Sequence, residues 1–464
     1  MSSFFRRQLD MYFKGTESCV SSKMLNALKE WDLLYTQSYT NVASVLSSEA
    51  ARLATIDMKI SFTGGERAQL LSSVFKKYER TFREKLELGI AYGSMIIKPL
   101  EDGTLDFVPP TRYVPVEFDD SGNIRGIVFL DTYQKGKKYY NRLEYHYFDE
   151  DLETGEELYV IKNRYFLSET SYDIGQAVGK KVLPIWRNIE DEVVLTGVTK
   201  PLYGYFKMPS ANNVDIDSPM GVSIFSKAVL TLKDFESLYM KWRTEIDFSE
   251  KKLFVDESTM MKGAGGKNPA IIENPIPKLI KGLRFGVNSS KSIEEWNPSF
   301  RVTDYSNAMK TQLNLISVLS GFSPGFLTFD ERTGQVTATQ IESEDQRTLS
   351  TCTDIQSNYK AALEGLLYAV NVWADVNELS ESDDYEVSFY MRDLFVNTSE
   401  DRKRAYELAQ NKYIPKWKYL VEYEGYTEED AKTMVSEAET SQGNATDPSK
   451  GVLVGKDGRP LIGG

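Results

Sequence analysis

Apolar side chains recur at three- and four-residue steps through much of the first hundred residues, and this spacing places them on one face of an α-helix. The clearest series is Leu71, Val74, Phe75, Tyr78, Phe82, Leu86 and Ile90. We therefore expect residues 1–99 to be mainly helical, with an amphipathic helix across this series that packs on a core.

From Ser94 to about Leu202 the pattern changes to short apolar or alternating runs, which are typical of strands. Turn-forming pairs such as Asp102–Gly103 and Thr154–Gly155 separate these runs. The predicted strands are Ser94–Lys98, Tyr113–Glu117, Ile124–Leu130 and Leu143–Phe148. The pattern favours an antiparallel β unit, so the whole chain is expected to be an α+β protein.

A helical pattern returns at Ser218–Pro219, because serine suits the N-cap and proline the first helical position. It continues as far as Glu250, which predicts a helix roughly 45 Å long at about 1.5 Å per residue. A turn-rich insert is expected to follow, and then a second helix with Thr303 as its N-cap. Short strands are expected in the insert at Leu253–Val255, Leu283–Phe285 and Ile293–Trp296. This part of the chain is therefore predicted to be an extended helical hairpin with a small folded tip.

The segment from Gly321 to Gly334 contains three glycines and a proline, which predict an unusually long loop. A long helix follows, from about Thr337 to Asp375. Its second half carries an apolar stripe formed by Ile355, Tyr359, Leu363, Leu366, Val370 and Trp373. Its first half, Thr339–Thr348, is polar nearly all round, so it must lie in solvent, along a channel or against polar partners.

The C-terminal part is predicted to contain one strand, Tyr385–Tyr390, and helices near 399–412 and 427–439. Thr427–Asp430 resembles a capping box at the start of the second helix. After Thr440 the residues are mainly Gly, Ser, Asn, Pro and Lys, which predicts a disordered tail.

The 464-residue chain has one histidine, His146, and two cysteines far apart, Cys19 and Cys352. So little imidazole and thiol argues against zinc sites, disulfides and histidine-activated nucleophiles. His146 alternates with aromatic residues in a predicted strand, which favours a structural role over a ligand role. Apolar runs are too short to span a bilayer and the N-terminus is charged, so the chain is expected in the cytosol when it is made.

The net charge is 55 − 68 = −13. Proteins that grip nucleic acid need a basic surface that displaces counterions from phosphate, so this chain as a whole is expected to repel DNA. A contact with DNA would therefore have to be loose.

Three stretches invite a chemical interpretation. Lys262–Asn268 is rich in glycine but lacks the spacing of a phosphate-binding loop, which favours a turn. Glu342, Glu344 and Asp345 suggest a two-metal nuclease, yet their spacing is ordinary for a helix surface. Asp149–Asp151 is expected to be a solvated loop. No catalytic residue, metal ligand or cofactor is predicted.

Several further stretches follow one another between residues 90 and 375: Leu143–Tyr147, Tyr159–Asn163, Tyr205–Lys207, Asn212–Asn213, Ser218–Phe225, Trp296–Arg301, Ser320–Phe326 and Gly334–Thr339. In this order they resemble the portal proteins of long-tailed bacteriophages of Gram-positive hosts. That family often has Lys before and Glu after the Thr-Ala-Thr motif, whereas this chain has Val336 and Gln340 there. The tip and the C-terminus match only in general character.

The resemblance implies a division into wing, stem, clip and crown. These would be 1–217 wing, 218–252 stem helix, 253–299 clip, 300–320 second stem helix, 321–336 tunnel loop, 337–398 long wing helix and return strand, 399–440 crown-like helices and 441–464 tail.

The resemblance further implies a non-enzymatic subunit of a ring of twelve, through which double-stranded DNA passes non-specifically. The ring would assemble in the host cytoplasm and occupy one capsid vertex of the virion, at the head–tail junction. Its partners would be the terminase packaging motor, the head–tail connector or adaptor, and the major capsid and scaffolding proteins, with no membrane and no cofactor. Twelve copies would carry 12 × −13 = −156 charges, and an acidic or neutral bore would let DNA slide without sticking.

Three groups of residues would carry this function. The tunnel loop would comprise Phe322, Ser323, Pro324, Gly325, Phe326, Leu327, Thr328, Phe329, Asp330, Glu331, Arg332, Thr333 and Gly334. The start of the long helix would contribute Thr337, Ala338, Thr339, Gln340 and Glu342. The clip contacts would be Lys262, Lys267, Lys278, Lys281 and Arg284.

Phe322, Phe326 and Phe329 would either brace the loop against the helices or approach the DNA, and bracing is favoured. Deletion of residues 325–333 is expected to spare ring assembly and impair DNA packaging or retention. One alternative is a nucleic-acid-processing enzyme, with magnesium-dependent cleavage that depends on Glu342 or Glu344. Another is a different phage head–tail structural subunit.

Overall fold

The computed structural model describes residues 9–100, 102–151, 153–256, 280–283, 293–328, 338–381, 383–391, 398–411, 413–424 and 431–436. The chain divides into two compact units, Met1–Arg392 and Asp393–Gly464. It is an α+β protein, as predicted. No helix within the described ranges combines the length and apolar composition that crossing a bilayer requires.

The N-terminal part of the first unit is mainly helical, as predicted. Its helices are α1 (Ser22–Thr36), α2 (Val42–Ala54), α3 (Glu66–Lys77) and α4 (Glu79–Tyr92). The prediction of an unbroken helix through Tyr78 was wrong. Tyr78 leaves the helical conformation, and its hydroxyl accepts a hydrogen bond from the Leu105 amide at 3.0 Å. The apolar stripe nevertheless continues across the break, because the rings of Phe75 and Phe82 pack with centroids 5.9 Å apart.

The predicted β unit is confirmed as two antiparallel sheets. One sheet has the order β10-β2-β3, formed by β2 (Ser94–Pro99), β3 (Leu105–Val108) and β10 (Gly204–Lys207). The other has the order β4-β5-β6-β7-β8, and β9 also pairs with β7. Its strands are β4 (Tyr113–Phe118), β5 (Ile124–Lys135), β6 (Lys138–Glu150), β7 (Glu157–Ser168), β8 (Gln176–Val178) and β9 (Glu192–Thr196). The predicted C-terminal strand is β14 (Tyr385–Tyr390), which pairs with β1 (Lys59–Gly64).

The long helix is confirmed as α7 (Ala338–Val376), and its apolar stripe forms the centre of the core. Ile355, Tyr359, Leu363, Leu366 and Val370 are buried, while Trp373 is half-buried. Tyr359 packs edge-on against Phe206 of β10 and donates a hydrogen bond to the Phe82 carbonyl at 3.0 Å. The helix approaches β10 so closely that a Cβ at Gly204 would lie 2.0 Å from the Ala362 carbonyl oxygen.

The predicted helical hairpin consists of α5 (Val229–Ser249) and α6 (Val302–Leu319). Between them lies a small tip sheet of β11 (Lys252–Asp256), β12 (Ile280–Leu283) and β13 (Ile293–Trp296), with the order β12-β11-β13. Strand β11 pairs parallel with β12 and antiparallel with β13. The strands predicted at Leu253–Val255 and Ile293–Trp296 are therefore confirmed. Of the strand predicted at Leu283–Phe285, only Leu283 lies in β12, and Arg284 and Phe285 lie outside the described residues.

The predicted helix start at Ser218–Pro219 was wrong. Residues 218–225 are not helical, and α5 begins at Val229 after a 3₁₀ turn at Ser226–Ala228. The segment is held instead by the end of α4: a Cβ at Gly221 would lie 2.0 Å from the Gly93 carbonyl oxygen, and the Ile224 amide donates to the Ile90 carbonyl at 3.2 Å. Helix α5 is therefore about 31 Å long at 1.5 Å per residue, shorter than the predicted 45 Å.

The second unit contains α8 (Thr398–Gln410) and α9 (Lys416–Glu424), and residues 431–436 are also helical. Tyr406 and Tyr419 connect α8 and α9 by an edge-on ring contact at 5.7 Å. The first predicted C-terminal helix is confirmed. The capping box at Thr427–Asp430 and the tail at 441–464 lie outside the described residues.

Candidate functional site

The helical hairpin exposes apolar side chains along both of its helices. Residues 236–249 of α5 and 302–315 of α6 are all described, and none of them is buried. Phe248 and Ile246 are 64% and 38% exposed, and Val302 and Leu315 are 52% and 47% exposed. Apolar side chains that are exposed on both helices of one hairpin are typical of a surface that a partner covers. The hairpin is therefore a candidate interaction surface.

Ion pairs connect the parts of the hairpin near its tip, and the two helices carry almost as many positive as negative side chains. The Arg301 guanidinium donates two hydrogen bonds to Glu245, at 2.9 and 2.8 Å, and so connects the start of α6 to α5. This bond lowers the pKa of Glu245 and raises that of Arg301. Lys251 pairs with Glu295 at 2.6 Å across the tip sheet. Helix α5 carries four carboxylates against three Lys or Arg, and α6 one of each, so neither helix has an excess of Lys or Arg.

The far end of α6 turns into the loop through a helix-terminating motif. Gly321 has a φ of +88°, a left-handed conformation that glycine adopts without strain. The Phe322 amide donates back to the Ser317 carbonyl at 2.9 Å, which is the long bond of a Schellman motif. The Thr351 hydroxyl of α7 donates to the Gly321 carbonyl at 2.6 Å. The end of α6 is thus attached to α7.

Residues 320–328, here termed the loop root, are held by side chains from both helices. The Ser323 amide donates to the Thr348 hydroxyl of α7 at 2.9 Å, and that hydroxyl donates to the Ser323 Oγ at 3.1 Å. The Gly325 amide donates to Asn314 of α6 at 2.8 Å. Both Ser323 and Thr348 are buried, so these bonds form away from competing water.

Two phenylalanines brace the loop root. The ring of Phe322 is fully buried and stacks on Phe326 with centroids 4.2 Å apart and planes 5° from parallel. Phe322 adopts the bracing one of the two expected arrangements, and Phe326 packs on its ring. Phe329 lies outside the described residues.

Arg347 of α7 caps the C-terminal end of α6. Its Nη2 donates to the Val318 carbonyl at 2.9 Å. A cation at this end of a helix is favourable because the last carbonyls carry partial negative charge. Burial raises the pKa of the nearby Cys352 thiol to about 12, so it stays protonated and packs as a small apolar group.

The structure brings together only part of the predicted residues. Phe322 to Thr328 form the loop root, whereas Phe329, Asp330, Glu331, Arg332, Thr333, Gly334 and Thr337 lie outside the described residues. Ala338, Thr339, Gln340 and Glu342 lie in the first turns of α7, where only the backbone is described. Lys281 lies in β12, again with only its backbone described, and Lys262, Lys267, Lys278 and Arg284 fall outside.

Four residues that hold the loop root were not predicted as site residues: Asn314, Arg347, Thr348 and Thr351. The sequence contains a signal for the two threonines, because Thr348, Thr351, Cys352 and Ile355 continue the apolar stripe of α7 at helical spacing. Thr348 was included in the polar half of the helix, and it lies against a polar partner, which was one of the three environments expected there.

His146 belongs to a buried cluster on the large sheet. Its Nε2 lies 2.6 Å from Glu144 and its Nδ1 lies 2.8 Å from the Tyr159 hydroxyl, so both ring nitrogens have a partner within the sheet. Glu144 also accepts from Lys98 at 2.7 Å and pairs with Arg142 at 3.0 Å. Burial lowers the pKa of His146, whereas Lys98 and Arg142 hold the pKa of Glu144 well below its usual value despite its burial.

Within the described side chains, no group of three His, Cys, Asp or Glu is arranged to hold a metal ion. The side chains of Glu342, Glu344 and Asp345 are not among them. No protein-family model matches this chain, and no curated protein sequence matches it significantly.

Proposed function

We propose that this chain is a phage portal subunit, a structural protein whose ring forms the channel for double-stranded DNA at one capsid vertex. The observation that carries the proposal is the uncovered hairpin, in which neither helix buries a side chain over residues 236–249 and 302–315. Neighbouring hairpins packed side by side would cover these side chains.

A ring explains why both helices of the hairpin expose apolar groups. In a closed ring every copy uses two different surfaces, one toward each neighbour. Ile246 and Phe248 on α5 and Leu315 on α6 would contact different neighbours. A two-fold dimer would bury a single patch and leave the other helix open.

The charge of the hairpin suits a channel for DNA. A wall with many Lys and Arg would release counterions from phosphate and hold the duplex tightly. The near balance of charge on α5 and α6 avoids such retention. In this proposal the tunnel loop starts from the loop root, which is fixed between α6 and α7, and the tip sheet contacts the packaging motor or the connector.

Electron microscopy and mass measurement of the purified protein test the proposal. We expect a ring with a central hole and a projecting stem, and a mass that is a multiple of 52.8 kDa. A single subunit at every salt and protein concentration would contradict it. Magnesium-dependent cleavage of DNA that disappears in Glu342→Gln would favour the enzymatic alternative.

A further inference from the structure

The turn between β5 and β6 is strongly basic. Lys135, Lys137 and Lys138 lie within four residues, here termed the lysine turn (135–138), and residues 132–138 are all exposed. Lys135 and Lys138 are directly opposite each other in the strand register. Like charges in this position repel, so the turn costs stability in the isolated chain. None of the three lysines forms an ion pair with any described residue.

The opposite end of the same sheet is strongly acidic. Residues 149–156, here termed the acidic turn, contain Asp149, Glu150, Asp151, Glu153 and Glu156 and no Lys or Arg. Asp119 and Asp120 lie in the turn between β4 and β5 at this same end. The nearby Arg125 is already paired with Glu157 of β7. This end therefore has an excess of unpaired carboxylates.

One strand separates the two turns. Strand β6 runs from Lys138 to Glu150 over 13 residues, which spans roughly 40 Å at about 3.3 Å per residue. That distance is several times the screening length of about 10 Å at 0.1 M salt. The two turns are therefore too far apart to neutralise each other within one chain.

We propose that the lysine turn of one copy docks on the acidic turn of the next copy. The inference rests on the proposed ring, in which each contact joins two different surfaces of the same chain. Two carboxylates, Glu169 and Asp173, follow β7 at the lysine end, so the basic patch is confined to the turn itself. A second copy fits better than DNA because it relieves the repulsion in both turns, whereas DNA would leave the acidic turn uncompensated.

Exposed charge pairs of this kind change the rate and salt dependence of association more than the final affinity. Three variants test the contact: K135E/K137E/K138E, E150K/E153K/E156K, and a chain that carries all six changes. We expect each triple variant to assemble about tenfold more slowly at low salt, with a weaker salt dependence. The chain with all six changes should assemble faster than either triple variant, because the charge of residues 135–138 becomes −3 while that of residues 149–156 changes from −5 to +1, which makes the two turns complementary again.

A matched control is K14E/K29E/K76E, which reverses three exposed lysines elsewhere in the first unit. It should assemble at the unmodified rate. If the chain with all six changes is as slow as the triple variants, the contact is refuted. If only the lysine variant has an effect, and it loses binding to closed circular duplex DNA that cannot enter a ring, the lysine turn is a DNA surface instead.

Mixing separates this contact from the proposed function. The lysine variant keeps the acidic turn and the glutamate variant keeps the lysine turn, so the two should associate with each other in a salt-sensitive way even where neither forms rings alone. Association in the mixture without rings of the unmodified chain would refute the portal proposal alone. Rings of the unmodified chain without any charge effect would refute the docking alone.

Discussion

The body of the first unit and the helical hairpin are both built from amphipathic helices next to small sheets, yet they differ in how the chain covers its apolar groups. In the body, Ile90, Phe206 and Tyr359 are completely buried by other parts of the same chain. In the hairpin, Phe248 and Leu315 remain exposed. The body covers these side chains by itself, whereas the hairpin leaves its apolar side chains open in the single chain.

Charged groups show the same contrast. Lys98 and Glu144 are buried and paired inside the body, 2.7 Å apart. Arg301 and Glu245 pair in the hairpin with the Arg301 side chain 59% exposed. A change in the body should therefore act on the stability of the fold, and a change in the hairpin on assembly. The stability of the fold is measured as the free energy of unfolding of the dissociated chain.

Glu144→Gln is expected to lower the free energy of unfolding the most. The substitution leaves Lys98 and Arg142 buried without their shared carboxylate, and breaking a buried pair in this way costs about 3–5 kcal/mol. Chemical denaturation of the dissociated chain measures the change.

The matched control is Glu295→Gln, which removes the carboxylate from the half-exposed pair with Lys251. It should lower the free energy of unfolding by no more than about 1 kcal/mol. Similar losses in the two variants would show that the body and the hairpin do not differ in the way described.

A contrast between local sequence patterns and long-range packing explains which features were predictable from the sequence. The bounds of α7 were predicted within one residue at each end, because its apolar stripe repeats over many turns. The start of α5 was misplaced, since the N-cap pattern at Ser218–Pro219 is local and the packing of Gly221 on Gly93 is not. The break at Tyr78 and the burial of Thr348 likewise depend on partners far away in the sequence. The features that the sequence did not predict are therefore those that depend on packing between distant parts of the chain.

A smaller effect is expected from His146 as the pH falls. Its Nε2–H donates to Glu144, and its Nδ1 accepts from Tyr159, whose oxygen accepts from the Leu202 amide at 3.2 Å. This neutral form satisfies every group, and burial keeps the pKa of the folded imidazole below the ordinary 6.5. Below that pH the unfolded chain binds the proton more readily than the folded chain, so stability decreases as the pH falls toward the folded-state pKa.

Denaturation between about pH 7.5 and 5 measures this contribution, which is at most about 1.4 kcal/mol per pH unit for one proton. His146→Gln should remove it and give a flatter pH profile, whatever its effect at neutral pH. Glu144 does not interfere, because its pKa lies well below 4.5 and its contribution is lost only at lower pH. An unchanged slope in His146→Gln would mean that the imidazole is not held in its neutral form.

The smallest effect on the fold, and a complete effect on assembly, is expected for the double variant Ile246→Asp with Phe248→Asp. Both side chains are exposed in the single chain, so aspartate meets water there and the free energy of unfolding should change by no more than about 0.5 kcal/mol. In a ring the same carboxylates would be buried against a neighbour without a partner, and each would oppose association strongly. Light scattering should show subunits where the unmodified chain forms rings.

Tyr172→Asp with Ile216→Asp, at two positions that are more exposed still, is the control and should leave rings intact. Loss of assembly in both variants would indicate general apolar adhesion, whereas loss in the hairpin variant alone would show that the tip end of α5 is where one copy meets the next.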